Sequence, residues 1–306
     1  MRTERGGEIG AALRDPKPDT ALSRGAGDIS EDQIAAFWQA HPCGDQFVDG
    51  AREDFERFFA RYDSIRYGEE AHIPACLRAM DVAGKRILEI GLGQGADSEQ
   101  LIRLGAIWSG LDLTPESVNR VAMRLMLRRL PYESIKVGSA LRIPHETASF
   151  DVVFSHGVLH HVPDIRSAQS EIHRVLKRDG RLVVMLYAKY SLNYLLSIFL
   201  LRRLGLIALY LLRPSARGIY AAHLAGAREL GLARYLRMRN FIHRNTDGPH
   251  NPYSKVYSVA EVRRDFPDFR IERVHKEYLH APPLKVHSLP GASLLGWHLW
   301  VHMIPK

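Results

Sequence analysis

A cluster of glycines flanked by acidic residues is the part of the sequence best suited to bind a ligand. In the stretch LEIGLGQGAD, residues 88–97, Gly91, Gly93 and Gly95 follow a short apolar run. Glycine adopts positive φ readily and leaves no Cβ between backbone and ligand, and the following helix presents free N–H groups. We therefore expect a ligand to approach the backbone closely at this turn.

Two acidic residues indicate what that ligand carries. Glu89 precedes the first glycine by two residues, and a carboxylate there suits an ammonium group and repels a pyrophosphate. Asp112 follows that glycine by about twenty residues, where a carboxylate can accept hydrogen bonds from both ribose hydroxyls. As structural alternatives, Glu89 is a hydrogen-bonding partner within the fold and Asp112 a loop residue. The turn also fits the dinucleotide fingerprint through Gly91, Gly93 and Ala96.

The elements that position these residues alternate between strands and helices. Short apolar runs predict strands at 85–91, 106–113, 134–140, 150–157 and 180–187. Helices are predicted between them at 96–104, from Pro115 onward with Thr114 as N-cap, and at 165–176. This alternation predicts a parallel sheet with helices on both faces. Two closing strands, 269–279 and 296–305, have only a loop between them and should pair antiparallel.

Helical patterns surround this core. Ser30 and Gln33 form a capping-box pattern for a first helix, with further helices predicted at 51–62 and 69–80. Ser258 and Glu261 cap a helix before the last strands. The predicted organisation is a flexible tail (1–28), an N-terminal helical lid (29–84), a cofactor-binding core (85–187), a helical substrate-binding insertion over the carboxyl edge of the sheet (188–257), and a C-terminal helix with strands six and seven (258–306).

Taken together, these motifs resemble the class I S-adenosylmethionine-dependent methyltransferases. The resemblance rests on Glu89-x-Gly91-x-Gly93-x-Gly95, on Asp112, and on FDVVFSHGVLHHVPD and EIHRVLKRDGRLVV, residues 150–164 and 171–184. Within this class, the sequence is similar to the small-molecule branch around the ubiquinone and menaquinone biosynthesis methyltransferases. The resemblance implies an α/β fold: a Rossmann-like, doubly wound seven-stranded sheet with an antiparallel last strand, an ending that a plain dehydrogenase lacks.

The resemblance also implies the cofactor and its contacts. The cofactor would be S-adenosyl-L-methionine, converted to S-adenosyl-L-homocysteine, with no metal. The three glycines would line its methionine and ribose part, Asp112 would bind the ribose, and Leu113 would lie against adenine. Glu89 would also contact the cofactor. Ser139 and Ala140 would lie at the adenine edge, where the family often has Asp in place of Ser139. Ser155 and Gly157 would lie beside the methionine moiety. Asp97 would reach the ligand or stabilise the helix N-terminus.

Candidate catalytic residues follow strand four and strand five. Methyl transfer from a sulfonium needs an aligned nucleophile, and a base only when the acceptor must lose its proton early. His161 occupies the place of the family's usual histidine, with His160 and Tyr187 beside it. The alternatives for His161 are substrate positioning and a structural role, bonding backbone carbonyls. A metal held by these histidines with Asp164 is a weaker alternative.

The insertion should decide the acceptor. Between Arg202 and Arg244 lie nine arginines and one acid, a net charge of +8 that equals the charge of the whole chain. With its apolar blocks, the segment fits a bulky, partly apolar small molecule bearing a carboxylate or phosphate, an anionic membrane surface, or a solvated basic helix face. We predict substrate contacts from His156 and from two segments that cover the site. The stretch RYDSIRYGEEAHI, residues 61–73, should cover the cofactor, with Tyr67 as its candidate, and the turn-rich stretch DGPHNPYSKVYS, residues 247–258, with Tyr253, should cross back over the pocket.

The function predicted is methylation of oxygen, nitrogen or carbon on a small molecule in specialised-metabolite, quinone or lipid biosynthesis. The alternatives are an RNA-modifying methyltransferase that uses the arginines and a non-catalytic cofactor-binding protein. Nucleic acid is disfavoured because aromatic residues do not interleave with the arginines as stacking platforms would.

The composition and the apolar runs of the sequence indicate the cellular compartment of the chain. Two cysteines indicate reduced, cytoplasmic thiols, and the N-terminus has no apolar core of signal-peptide length. The run YLLSIFLLRRLGLIALYLL, residues 194–212, is interpreted first as a buried helical pair, because Arg202 and Arg203 divide it. The alternatives are peripheral membrane contact through residues 190–213 and a true membrane span.

Overall fold

A seven-stranded sheet organises the chain in the computed structural model, which describes residues 29–45, 54–212 and 216–306. Its strand order is β3-β2-β1-β4-β5-β7-β6. The strands are β1 (Arg86–Ile90), β2 (Ile107–Asp112), β3 (Ser134–Val137), β4 (Phe150–His156), β5 (Leu176–Tyr187), β6 (Phe269–Glu277) and β7 (His298–Pro305). The first five run parallel, and β7 lies antiparallel between β5 and β6. The predicted Rossmann-like fold with an antiparallel last strand is confirmed.

Helices precede the sheet, cover both its faces and form the insertion. They are α1 (Glu31–Ala40), α2 (Phe55–Glu69), α3 (Ile73–Arg78), α4 (Ala96–Arg103), α5 (Pro115–Leu127), α6 (Ile165–Val175), α7 (Arg203–Leu212), α8 (Ile219–Leu230), α9 (Leu232–Tyr235), α10 (Met238–Phe241), α11 (Val259–Asp265) and α12 (Ala292–Leu295). Wide π-helical turns over Asn193–Arg202 lead directly into α7, which gives one continuous helix, Asn193–Leu212. We call this element the apolar helix.

The helix starts follow the predicted caps. Ser30 and Gln33 form a reciprocal capping box at α1, and Ser258 and Glu261 form another at α11. Thr114 caps α5, with proline in its first turn. Each cap satisfies backbone N–H groups that the first turn of a helix leaves without intrahelical partners.

Two hydrophobic clusters bury the faces of the sheet. One includes Leu88, Val153 and Val184 with residues of α6, and the other includes Ile87, Val152 and Val183 with residues of α3, α4 and α5. Neighbouring residues of one strand thus enter opposite clusters, because side chains alternate between the faces of a sheet. A third cluster, around Tyr235 and Phe241, holds the insertion together.

Several predicted boundaries differ from the structure. The helix predicted at 51–62 runs instead over Phe55–Glu69, with residues 51–53 outside the described part of the chain, and the one at 69–80 shortens to Ile73–Arg78. Strand three ends at Val137, before the predicted turn at 138–140. Strand five begins at Leu176, four residues early, because Leu176 pairs with Phe150 of β4. The tail, 1–28, also lies outside the described residues.

The interpretation of residues 194–212 as a buried helical pair is wrong. The run forms one helix, and only 17% of its most apolar 18-residue window is buried. By length and apolarity it is the one helix within the described residues that could cross a membrane. Its two central arginines did not break the helix, because Arg202 turns inward and hydrogen-bonds to Ser197 and to the carbonyl of Asn245.

Candidate active site

The three glycines of the β1–α4 turn have positive φ and different surroundings. A Cβ on Gly91 would collide with Val158, and one on Gly95 would lie 3.0 Å from Val121. A Cβ on Gly93 would meet only Cys43 Cβ, at 4.0 Å, among the described residues. Gly91 and Gly95 therefore permit packing, while Gly93 borders the space where a ligand can approach the backbone.

Asp112, at the end of β2, orders this turn. Its Oδ2 accepts a hydrogen bond from the backbone N–H of Leu92, at 2.7 Å. Its Oδ1 accepts from the backbone N–H and the hydroxyl of Thr114, both at 2.8 Å. The backbone N–H of Gly93 also bonds to this carboxylate, which thus fixes the glycine turn to the start of α5.

Glu89 lies beneath the turn rather than in the open space. It is 2% exposed, and its Oε2 accepts a hydrogen bond of 2.8 Å from the Trp108 indole. Burial first, and then the charge of Asp97, raise the pKa of Glu89 to about 8. At neutral pH the carboxyl group is therefore mainly protonated, so ionisation would have to accompany the binding of an ammonium group.

Asp97 is the ionised acid beside the turn. Arg66 Nη2 donates to its Oδ2 at 2.7 Å, Tyr67 donates to its Oδ1 at 3.2 Å, and His156 Nδ1 lies 2.8 Å from Oδ2. Although burial opposes ionisation, Arg66 and His156 hold the pKa of Asp97 well below its usual range. The structure thus brings predicted residues from the N-terminal helices, α4 and β4 into one buried network.

The predicted adenine side lies at the ends of β2 and β3. Leu113 is half-buried and Ala140 buried beside the turn that follows β3. The Ser139 hydroxyl donates to Glu31 at 2.5 Å and accepts from the backbone N–H of Leu141 at 2.9 Å. Ser139 therefore joins the first turn of α1 to this edge of the sheet.

Ser155 and Gly157 end β4 on the opposite side of the turn. The Ser155 hydroxyl donates to the carbonyl of Ile90, at 3.0 Å, which leaves the hydroxyl oxygen as an acceptor. Gly157 has φ +77°, and a Cβ there would lie 3.5 Å from Met185. Both residues lie where β1 and β4 diverge, the switch point at which open α/β sheets bind ligands.

His161 has a fixed tautomer. Its Nδ1 lies 2.8 Å from the carbonyl of Tyr253, and because a carbonyl only accepts, Nδ1 carries the proton. The lone pair of neutral His161 is therefore on Nε2, which lies 3.5 Å from Asp247 Oδ2. Asp247 also accepts a hydrogen bond of 2.7 Å from the Tyr187 hydroxyl. The insertion thus supplies both the orienting carbonyl and an acid.

His160 and Tyr187 stack beside this group, with ring centroids 3.8 Å apart. Neither ring nitrogen of His160 has a hydrogen-bond partner within the described part of the chain. Burial, and then the neighbouring His161, hold the pKa of His160 well below its usual value, so the ring is neutral. Tyr253 is buried and stacks on His243, so its carbonyl rather than its ring meets the site.

Sequence reasoning did not identify Arg66 and Asp247. Arg66 was embedded in the stretch RYDSIRYGEEAHI, from which only Tyr67 was selected. Asp247 begins the turn-rich stretch DGPHNPYSKVYS, whose predicted return over the pocket was the available signal. Both residues meet partners far away in sequence, which local patterns do not reveal.

Within the part of the chain that the structure describes, two groups bring potential metal ligands within 4.8 Å of one another. They are His160, His161 and Asp247 in the site, and Cys76, His275 and Glu277 between α3 and β6. The expectation that the chain uses no metal stays a prediction.

The chain matches known proteins over its core. The sequence pattern of the family described as "Methyltransferase domain" matches residues 88–184. A ubiquinone biosynthesis O-methyltransferase of Xanthomonas oryzae pv. oryzae is 35% identical over 142 residues, which cover 46% of this chain and 56% of that protein. The chain therefore spans just over half the length of this relative.

Two further proteins extend the comparison. A ubiquinone biosynthesis O-methyltransferase of Nitrosococcus oceani is 31% identical over 183 residues, which cover 59% of this chain and 73% of that protein. Among solved structures, the PH0226 protein from Pyrococcus horikoshii OT3 is similar in structure, with a TM-score of 0.49 and 15% sequence identity. The matched part covers 89% of this chain and 99% of that one.

The sheet with β7 antiparallel beside β5, and a glycine turn tied to the acid that ends β2, define a Rossmann-like protein of the methyltransferase type. The chain belongs to the class I S-adenosylmethionine-dependent methyltransferases, in their small-molecule branch. Its cofactor is S-adenosylmethionine.

Proposed function

We propose that the chain transfers a methyl group from S-adenosylmethionine to a hydroxyl oxygen of a small, largely apolar molecule. The observation that carries the proposal is the tautomer of His161, whose Nδ1–Tyr253 carbonyl bond leaves Nε2 free to accept a proton. A hydroxyl is a poor nucleophile until it loses its proton, so an oxygen acceptor uses such a base where a free amine needs none.

The residues around the turn fit the cofactor. Gly93 supplies open backbone for the chain of the cofactor, and the Asp112 carboxylate ends β2 beside this turn, a position that suits a ribose hydroxyl. Asp97 and Arg66 lie side by side at 2.7 Å, a charged pair matching the ammonium and carboxylate of a methionine. When bound, the cofactor supplies a methyl group already activated by a positive sulfur.

His161 and Asp247 would handle the proton of the acceptor. Nε2 takes it from the hydroxyl, and the resulting imidazolium is stabilised by the Asp247 carboxylate, 3.5 Å away. Tyr187 holds Asp247 in place through its hydroxyl. The arrangement is a base oriented by a carbonyl on one side and by a carboxylate on the other. These roles also support oxygen rather than carbon or nitrogen as the acceptor atom.

The walls of the site favour an apolar, partly aromatic acceptor. Trp38 of α1 meets His161 edge-on at 5.0 Å, and Trp297 stacks on Tyr187 at 4.5 Å. His160 is neutral and lies against the same tyrosine. Flat rings packed at these distances surround the base with low-polarity surface, which excludes water from the reacting groups. The two relatives are both named as O-methyltransferases, which supports the same acceptor chemistry.

The test separates cofactor binding from turnover. Calorimetric titration with S-adenosylhomocysteine should give similar affinities for wild type, His161→Ala and Asp247→Asn. With a panel of apolar phenols, methyl transfer at saturating acceptor should fall by about 10²–10⁴-fold in His161→Ala. Asp247→Asn keeps the shape of the side chain but loses its charge, so we expect an intermediate loss.

The exposed His287 supplies the control, and His287→Ala should leave both quantities unchanged. An undiminished rate in His161→Ala at saturating acceptor would remove the base from the proposal. Absence of S-adenosylhomocysteine binding by the wild type would contradict the cofactor assignment itself.

A further inference from the structure

We propose that the apolar helix, Asn193–Leu212, docks the protein onto an anionic lipid surface and that its outward face enters the headgroup region. This inference deepens the proposed function, on which it rests, because it assigns the source of the acceptor: a molecule dissolved in a lipid bilayer.

The outward face of the apolar helix is mainly hydrophobic. Its large side chains are between 43% and 79% exposed: Leu195, Phe199, Leu200, Leu204, Leu211 and Leu212. Gly205 and Ala208 are the exposed small residues between them. Soluble proteins rarely expose a contiguous apolar surface of this kind, and where they do it commonly marks an interaction site.

The inward face carries the polar residues. Asn193 is 3% exposed and Ser197 is fully buried. Arg202 donates to the Ser197 hydroxyl at 3.1 Å and to the Asn245 carbonyl at 2.6 Å. This distribution is the reverse of a surface helix in water, which buries its apolar stripe and exposes its charges. Ser197 and Arg202 are thus bonded within the protein, while the leucines of the other face are left for an apolar environment.

The helix lies on the surface of the protein rather than standing apart from it. Ser197 donates a hydrogen bond to the Pro282 carbonyl, and Ile198 and Leu206 are buried against the insertion cluster. Arg203 covers the ring of Phe199, with its guanidinium carbon 5.1 Å from the centroid. A helix held along its length in this way presents one side to a bilayer, as interfacial helices do, and does not cross it.

Exposed aromatic and basic residues flank the apolar helix along the chain. Tyr190 precedes the helix and Tyr220 follows it, and they are 55% and 61% exposed. Arg217 and Arg228 are exposed on the segment that follows. Tyrosine is enriched at the headgroup level of membranes, and arginines near an anionic surface are attracted to it.

The same charges disfavour a second copy of the chain as the occupant. A symmetric dimer places the same patch of each subunit against the other. Residues 202–244 carry a net charge of +8, so this arrangement would bring two strongly positive segments together. An anionic lipid surface complements both the leucines and the arginines.

Docking would place the bilayer beside the catalytic group. Arg202 bonds to the carbonyl of Asn245, two residues before Asp247, so the inward face of the helix supports the loop that carries this acid. Leu284, 46% exposed, lies two residues beyond the Pro282 carbonyl that Ser197 contacts and adds a further exposed leucine near the helix in the chain. An acceptor leaving the bilayer at this point meets the insertion that covers His161.

The experiment measures sedimentation of the full chain with lipid vesicles. Wild type should bind phosphatidylcholine vesicles that contain about 30% phosphatidylglycerol, bind pure phosphatidylcholine more weakly, and lose affinity as salt rises. The double variant Leu204→Glu/Leu211→Glu should lose about tenfold or more in vesicle affinity. Met126→Glu is the matched control, since Met126 is 64% exposed on α5, away from this surface.

Each remaining outcome bears on the proposal. Equal vesicle binding by wild type and the double variant would overturn it. An absence of vesicle binding would also overturn it. In that case a dimer that the double variant dissociates, seen by light scattering, would indicate a second copy as the occupant, and retention on RNA would indicate a nucleic acid. S-adenosylhomocysteine titration of the same samples distinguishes failure of the proposed function from failure of the lipid docking. A wild type that does not bind S-adenosylhomocysteine contradicts the proposed function, whether or not it binds vesicles.

Discussion

Among the described residues, Gly93 alone of the three turn glycines has open space where a side chain would begin. An alanine there would adopt φ +52°, at a cost of about 1 kcal/mol, and would place its methyl group in the proposed cofactor space. We expect Gly93→Ala to fold and to bind S-adenosylhomocysteine about tenfold more weakly or worse, measured by calorimetry.

Gly91→Ala provides the contrast, because its methyl group would overlap Val158. Overpacking and backbone strain together should lower the free energy of unfolding by about 2–4 kcal/mol, measured with urea. Equal affinities of Gly93→Ala and wild type would show that the cofactor does not pass this residue.

The role of single residues could be predicted from the sequence only where it depends on the local backbone conformation. The pattern of Gly91, Gly93 and Gly95 before a helix is a local requirement, so it is visible in ten residues. The protonation of Glu89 was not visible, because it depends on burial beneath the turn and on Trp108. The expectation of a carboxylate ready for an ammonium group thus overlooked the desolvation cost.

At the scale of elements, several ion pairs join α2 to the core, and the pair of Arg66 with Asp97 is buried. Arg66 of α2 and Asp97 of α4 are 17% and 7% exposed in their side chains and 2.7 Å apart. Asp97→Asn would leave the guanidinium of Arg66 with less compensation, so we expect the free energy of unfolding to fall by about 3 kcal/mol. Weaker S-adenosylhomocysteine binding should accompany this loss.

Asp81→Asn is the matched control for that measurement. Asp81 is 80% exposed and pairs with Lys85, so its neutralisation should change the urea midpoint little. Equal midpoints for Asp97→Asn and Asp81→Asn would show that the buried pair does not fasten α2 to the core. If only cofactor affinity changed, Asp97 would be a ligand-binding residue without a structural share.

The elements themselves were largely predictable, and their partners were not. Alternating apolar runs and capping patterns located the seven strands and the starts of α1, α5 and α11. The insertion was predicted as helical from its broken alternation, but the burial of its apolar run was predicted wrongly. Hydropathy reports that residues 194–212 avoid water, and it does not say whether protein or another apolar phase covers them.

At the scale of the whole molecule, separation along the chain limits what the sequence shows. His161 meets the carbonyl of Tyr253, 92 residues away, and Asp97 meets Arg66, 31 residues away. The predicted return of residues 247–258 over the pocket was compatible with the first contact but did not select Asp247. The sheet order brings these residues together, and that order was predictable only as a class.

The balance of buried histidines and one buried acid should give the fold a stability maximum near neutral pH. Burial holds the pKa of His160 and of His298 well below the ordinary 6.5, so each stays neutral in the fold while the unfolded chain takes up a proton. Their contribution is complete above pH 6.5 and is lost as pH falls, by about 1.4 kcal/mol per histidine per pH unit.

Glu89 acts with the opposite sign. Burial and the charge of Asp97 raise its pKa from 4.5 to about 8, so the fold loses stability from this group as pH rises from 4.5 through 8. As pH falls from 8 to 6.5, the contribution of Glu89 to the stability of the fold therefore increases. Below pH 6.5 the two histidines outweigh it and stability should fall. Since charges elsewhere shift both limbs, the informative quantity is the difference between variants.

Urea midpoints at pH 8, 7, 6 and 5 test this balance, with Glu89→Gln and His298→Asn as separate probes. The amide that replaces the carboxyl group in Glu89→Gln keeps an acceptor for Trp108, so this variant should flatten only the alkaline limb. His298→Asn should flatten the acid limb between pH 6.5 and 5. If the acid limb of His298→Asn parallels that of wild type, His298 is not a source of acid sensitivity, and the charge carried by the other buried histidines must account for it.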